Sequence, residues 1–232
     1  MKQKYEYSDW LISFDNDGVM SNTLPLVDKV GTIVAAKMSV PYYPGLAAKL
    51  YYSDRKPRVW GERHDEIAKE FLDTLWATWR TDEWVEKVEL FPGVPEMLRR
   101  LSDMGFYIGV ATSSSAKRVA APLGKAGVMP LVKSIASVND LELPDKPAPD
   151  CLATLAQGAR IPAERTIHIG DTPPDIRMAK NFGAKSIGAS YGGYSPSDVV
   201  RAEKPDAMML DAREIRYIPE MIEAMIKSEN IR

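Results

Sequence analysis

A chain of 232 residues, 45% of them apolar, is long enough to fill a sizeable core and is not a disordered protein. Its 30 Lys and Arg against 32 Asp and Glu leave a formal charge of −2, so there is no basic excess to draw in nucleic acid or an anionic membrane. The single cysteine, Cys151, excludes an intramolecular disulfide, and with only His64 and His168 beside it no cysteine/histidine zinc site can be assembled.

Any metal must therefore sit mainly on oxygen ligands. The amino terminus, MKQKYEYSDW, lacks the apolar stretch of a signal peptide. No window approaches the roughly 20 apolar residues of a membrane span. The expectation is a soluble, reduced, cytoplasmic protein.

Taken in chain order, short apolar runs alternate with helical patterns, the signature of an α/β fold. The first strand is expected over Trp10 to Phe14, stopping in the polar run DNDG. Pro95 to Met104 reads as a helix ended by Gly105, and Phe106 to Ala111 as a strand running into Thr112 and three serines. Lys117 to Lys125 is helical, Ser134 to Val138 a short strand, and LELPDKPAPD a proline-rich loop. Asp150 is expected to cap a helix over Cys151 to Gln157. TIHIG, Thr166 to Gly170, reads as a buried strand, GDTPPD as its polar exit, and Ile176 to Phe182 as a helix closed by Gly183. Strands at Lys185 to Ala189 and Ala207 to Leu210 precede a terminal helix from Ile218.

Residues 22–90 break this rhythm. They show helical patterns without a convincing strand and hold four of the tryptophans: Trp60, Trp76, Trp79 and Trp84. Ile67, Phe71, Leu75 and Trp79 recur every four residues and so share one helix face, expected to be core. The division expected is an α/β core from residues 1–21 and 91–232 with a helical cap inserted at 22–90. In YYSDRKPRVW, Arg55, Lys56 and Arg58 are read either as a solvated basic loop or as a receiver for a second substrate anion. Tyr51, Tyr52 or Trp60 would then line the leaving group. Tyr191, Gly192, Gly193 and Tyr194 follow a strand and are read as turn chemistry or as an approach to the site.

Strands of a parallel sheet point one way, so residues at their carboxyl ends converge on one edge. Four polar clusters fall there: Asp15 with Asp17; Thr112 with Ser113 and Ser114; Lys146; and Asp171 with Asp175. Carboxylates so close repel one another and are relieved by a hard divalent cation such as Mg²⁺. Thr112, turn amides and Lys146 supply donors for phosphoryl oxygens. Donors, metal and a free carboxylate together imply phosphoryl transfer. Asp15 would attack phosphorus, and Asp17 would protonate the leaving alkoxide and then deprotonate water. One of Ser113 and Ser114 is read as meeting phosphate through its amide, and their hydroxyls equally as ordinary turn groups. Asp175 opens a predicted helix and is equally read as a cap, while His168, in a buried strand, is read as structural.

These motifs resemble those of the haloacid dehalogenase-like superfamily. SFDNDGVMSN is similar to its DxDG(T/V) first motif, VATSS to the second, KPAPD to the lysine motif and IGDTPPDI to the GDxxxD fourth, all in order. The resemblance covers essentially the whole chain and implies a Rossmann-like three-layer core with a mostly parallel sheet. Residues 22–90 stand where phosphoglycolate-phosphatase-like and β-phosphoglucomutase-like members carry a helical cap. It further implies Asp15 as nucleophile and Asp17 as acid/base, with Thr112, Ser113 and Lys146 binding phosphate. Mg²⁺ would be held by Asp15, the Asp17 carbonyl and Asp171, with Asp175 in support. Asp17 argues against dehalogenase or phosphonatase chemistry. Asn16 departs from the usual apolar residue and has no functional reading. The implied activity is hydrolysis of a small-molecule phosphate monoester by a monomer or homodimer. A β-phosphoglucomutase-like sugar phosphomutase, or a silent binding module on the same fold, is the alternative.

Overall fold

A computed structural model describes residues 7–53 and 56–229. Six strands form one sheet: β1 (Leu11–Phe14), β2 (Tyr107–Thr112), β3 (Ser134–Ser137), β4 (Thr166–Gly170), β5 (Lys185–Ala189) and β6 (Ala207–Met209). Their order is β3-β2-β1-β4-β5-β6 and every pairing is parallel. Phe14 stands opposite Val110 of β2 and Ile169 of β4, so the three central strands finish nearly level. Successive connections run to opposite sides of β1, and the crevice at such a reversal is where ligands bind in open parallel sheets.

Helices cover both faces, as a parallel sheet requires. Ile12, Phe14, Ile108 and Ile167 pack beneath α5 (Val94–Met104) and α10 (Ile218–Glu229), through Leu98, Leu101, Ile222 and Ile226. On the other face Leu11, Ala111 and Ala136 meet Leu152 and Leu155 of α7 (Asp150–Ala159) and Met178 of α8 (Pro173–Phe182). Helix α6 (Ala116–Lys125) contacts the edge strand β3, and α9 (Ser197–Ala202) packs against α8. Several expected boundaries shift by a residue or more, two of them for a plain reason. Helix α8 starts at Pro173 rather than Ile176, because the prolines fall in its first turn, where a missing N–H costs nothing. Asp150 is the first residue of α7 and does not cap it; Pro149 holds the cap position without a side-chain bond.

A second apolar cluster lies within α1 (Leu24–Met38), α2 (Leu46–Tyr52), α3 (His64–Trp79) and α4 (Asp82–Val85). Phe71, Leu75 and Trp79 are buried there and Ile67 partly so, as their four-residue spacing predicts. Trp60 departs from expectation. It is buried among these helices, with Nε1 donating to the Pro41 carbonyl at 3.0 Å. The chain leaves and rejoins the α/β layers side by side: Phe91 N–H donates to Met20 at 2.8 Å and Asn22 N–H to Glu89 at 2.9 Å. Paired crossings of this kind make a narrow waist between the two apolar clusters.

Among the described residues no helix is long and apolar enough to cross a membrane.

Candidate active site

Asp15 follows directly on β1, its N–H donating to Ile169 of β4 at 2.8 Å. The turn after it is built by Asn16. Its carbonyl accepts from Met20 and Ser21 at 3.0 and 2.8 Å, and its Oδ1 from Ser21 Oγ at 2.9 Å. Its Nδ2 donates to Asp17 Oδ2 at 3.3 Å. The residue without a sequence reading is thus the staple of the loop. Gly18 takes φ of +81°, a conformation that glycine adopts without strain. A Cβ there would stand 2.1 Å from Asp171 Oδ2, so the Asp171 carboxylate packs onto bare backbone.

The four clusters meet. Lys146, on the loop between β3 and α7, donates Nζ at 2.7 Å to Asp15 Oδ1 and at 2.7 Å to Asp175 Oδ1. All three side chains are nearly sealed from solvent. Asp15, Asp171 and Asp175 each offer one oxygen within 4.8 Å of the others. Asp175 also closes the start of α8, its Oδ2 accepting the Thr172 N–H at 3.0 Å and hydroxyl at 2.5 Å. Both readings of Asp175, cap and cluster member, therefore describe the same side chain. His168 sits beneath it, Nδ1 3.1 Å from Ser13 Oγ and Nε2 3.6 Å from Asp175, too far for a hydrogen bond.

Electrostatics divide the carboxylates. Burial pushes Asp15 up to about 7 against the opposing pull of Lys146. Burial, with Asp175 and Asp15 adding, raises Asp171 far above the usual range. Burial acts on Asp175 in the same direction, but the Lys146 ammonium outweighs it and holds that carboxyl low. Burial lowers His168. Lys146 is stabilised as the ammonium because Asp15 and Asp175 overcome its desolvation. The remaining strain falls on Asp171, whose buried Oδ2 has no hydrogen-bond partner among the described residues.

The second cluster faces this one. Thr112 is buried, and its Oγ1 accepts the Ser114 N–H at 3.1 Å, which leaves its hydroxyl hydrogen for another acceptor. Ser113 lines the same cavity, its carbonyl held by Asn139 Nδ2. Ser114 Oγ donates to Asp17 Oδ2 at 2.5 Å, so a residue read as a weak turn group orients Asp17. Asp17 Oδ1 is left without a partner among the described residues.

The cavity has a volume of about 550 Å³ and lies between the sheet edge and the helices of residues 24–85. Tyr51, Tyr52, Trp76 and Trp79 line its far wall, with Lys56 and Arg80 among them. Arg58 instead pairs at the surface with Asp65 at 3.0 Å, and Arg55 lies outside the described residues. Tyr194 does reach the cavity, its hydroxyl 2.9 Å from Thr23 Oγ1. Gly192 approaches so closely that a Cβ would stand 2.1 Å from the Gly18 carbonyl, while Tyr191 donates to Val19 O at 2.8 Å. The loop after β5 therefore braces the loop after β1. Arg118 of α6, which sequence reasoning missed, also lines the cavity. Its only sequence signal was a basic residue shortly after the serine run.

A parallel α/β sheet with buried aspartates, a lysine and hydroxyls gathered at its carboxyl edge defines a hydrolase-type site for an anionic group. The model of the haloacid dehalogenase-like hydrolases matches residues 12–189, and the chain belongs to that family. It is similar to a phosphoglycolate phosphatase of Vibrio vulnificus, 26% identical over 206 residues, covering 84% of this chain and 90% of that one. One from Pseudomonas putida is 25% identical over 214 residues, covering 88% and 77%. Among solved structures, a predicted phosphoglycolate phosphatase from Haemophilus somnus superposes with a TM-score of 0.72 at 22% identity, covering 92% of this chain and 99% of that one. A family hydrolase from Deinococcus radiodurans with bound phosphate and sodium gives 0.68 at 21%, covering 91% and 95%.

Proposed function

We propose that the protein is a Mg²⁺-dependent phosphatase that hydrolyses a small-molecule phosphate monoester through an aspartyl-phosphate on Asp15. The observation that carries this reading is the convergence of Asp15, Lys146 and Asp171 beside an Asp17 oxygen that has no partner among the described residues. Lys146 engages Asp15 Oδ1, so Oδ2 is the oxygen left to attack phosphorus. Lys146, the Thr112 hydroxyl and the turn at Ser113 hold the phosphoryl oxygens and place phosphorus against that oxygen. Asp17 Oδ2 is fixed by Ser114 and Asn16. Its Oδ1 gives a proton to the departing alkoxide, then takes one from the water that cleaves the intermediate.

The residues fit a hard cation: the donors are all oxygens, Asp171 Oδ2 is buried and unpaired among the described residues, and burial leaves Asp15 and Asp171 with raised proton affinity. Asp15, the Asp17 carbonyl and Asp171 would hold Mg²⁺, with Asp175 in support through its grip on Lys146 and Thr172. When bound, the ion neutralises charge on the transferring phosphoryl group. The helices of 22–90 act as a cap that excludes water and shapes the leaving-group pocket, and 1–21 with 91–232 as the catalytic core. Phosphate release from an aryl phosphate, with Mg²⁺ or with chelator, tests the reading. Turnover that ignores both the chelator and Asp15→Asn overturns it.

A further inference from the structure

Four aromatic rings run in a row along the cavity that holds Asp15 and Asp17. Trp76 of α3 meets Tyr51 near the end of α2 with ring centres 5.2 Å apart, Tyr51 meets Tyr52 at 4.8 Å, and Tyr52 meets Tyr194 at 5.5 Å. Each pair is edge to face, with the planes at 71°, 77° and 82°. The inner end of the row is anchored beside the reacting groups. The Tyr194 hydroxyl lies 2.9 Å from Thr23 Oγ1, and its ring packs on Gly18, where a Cβ would stand 2.8 Å from Cδ2. Burial, with the charges of Tyr194, Asp17, Asp15 and Asp171 adding to it, pushes the Tyr52 phenol up, as expected of a ring near those carboxylates.

Three of these rings are not packed as core. Phe71, Trp79 and Trp84 of the neighbouring helices are sealed, whereas Tyr51 is 46% exposed and Tyr52 and Trp76 are partly so. A single bare ring on a surface means little, but three in mutual contact along one cavity make a patch that a ligand can cover. The volume of about 550 Å³ is also far more than a phosphoryl group with a two-carbon leaving group fills. Lys56, Arg80 and Arg118 line the same cavity, which argues against a cationic head as the occupant of this aromatic corner.

We propose that Trp76, Tyr51 and Tyr52 form a subsite for a planar aromatic ring on the substrate's leaving group. This rests on the phosphatase reading and specifies its substrate class: a phosphate monoester joined through a short linker to an aryl or heteroaryl ring. The row begins against Gly18, next to Asp17, so a ligand with its phosphate at Asp15 reaches the rings without leaving the cavity. A flat π-system meets such a wall in the offset-stacked or edge-to-face geometry that aromatic pairs favour. A saturated ring of similar size gains only the burial of its area, so the subsite discriminates by π character.

Calorimetric titration of the full-length Asp15→Asn protein, with Mg²⁺ present, tests the subsite without turnover. The ligands are ethyl phosphate, cyclohexylmethyl phosphate, benzyl phosphate and adenosine 5′-monophosphate, which share a phosphate head and differ in the ring. Benzyl phosphate is expected to bind at least about tenfold more tightly than ethyl phosphate and about threefold more tightly than the cyclohexylmethyl ester. Whichever of the benzyl and adenosine esters binds more tightly identifies the ring as a simple aryl group or a nucleobase. Tyr51→Leu, which keeps apolar bulk at an exposed position and deletes the ring, is expected to remove most of the benzyl-over-ethyl ratio. Trp76→Leu is expected to lower the same ratio about threefold. No preference for the two aromatic esters over ethyl phosphate, equal binding of the benzyl and cyclohexylmethyl esters, or a ratio unchanged in Tyr51→Leu overturns the subsite. Failure of the phosphatase reading shows separately, as aryl phosphate turnover indifferent to Asp15→Asn.

Discussion

Ser114 Oγ donates to Asp17 Oδ2 across 2.5 Å, although 97 residues separate them. The bond spans two strand ends and holds the Asp17 carboxylate by its Oδ2. Removing it frees the carboxylate to rotate without deleting the acid. Ser114→Ala is therefore expected to lower kcat on an aryl phosphate about tenfold while KM changes little. Steady-state kinetics with the two constants resolved check this.

Gly192 lies against Gly18 so closely that a methyl would stand 2.1 Å from the carbonyl oxygen and 2.4 Å from the Cα. Backbone is the obstacle, so no rotamer relieves it. Gly192→Ala is expected to cost about 1–3 kcal/mol by displacing the Asp15–Ser21 loop. Urea unfolding measures the loss, and activity should fall with it because Asp17 moves with that loop.

Lys146 compensates two buried carboxylates at once, at 2.7 Å each. Its replacement leaves charge buried and unpaired, which typically costs about 3–5 kcal/mol. Lys146→Met is expected to show a loss of that order near neutral pH. Adding Asp175→Asn should recover part of it, a less-than-additive double-mutant cycle.

The raised carboxyls give stability a pH dependence of definite sign. Asp15, at about 7, and Asp171, also raised, keep protons in the folded chain that the unfolded chain has released. The folded state thus binds more protons between about pH 4 and about pH 7, and stability falls as pH rises through that window. Asp175 works the other way, its contribution present above the ordinary carboxyl value and lost only in strong acid. Chelator-treated protein is expected to melt lower near pH 7.5 than near pH 5.5, and Mg²⁺ to raise Tm more at the higher pH. Scanning calorimetry at both values, with and without the ion, is the check.

The strands β4 (TIHIG) and β5 (KSIGA) were legible to the residue, because each is a short segment carrying buried isoleucine and bounded by turn or polar residues. The four clusters were legible because their chemistry sits at strand ends, where a parallel sheet gathers it. What escaped depends on contacts between segments far apart in the chain. Nothing local distinguishes Arg118 from the neighbouring Lys117; one is buried against Trp79 and the other exposed on Asp82 only because α3 and α4 pack where they do. Asn16 and Ser114 escaped for a similar reason, since a side chain that staples a turn or orients a distant carboxylate has no periodic signature. Trp60 was misplaced because an aromatic residue beside basic ones looks like a pocket wall until its partner, the Pro41 carbonyl, is known.

The account turns on Asp15 becoming the covalent carrier. The direct measurement is to quench a reaction on an aryl phosphate during steady-state turnover, reduce the protein with borohydride, and locate the modified residue by peptide mass spectrometry. An acyl phosphate is reduced to the alcohol, so the account predicts homoserine at position 15 and aspartate retained at 17, 171 and 175. Homoserine at any of those other positions, or none anywhere while phosphate is being released, would contradict it.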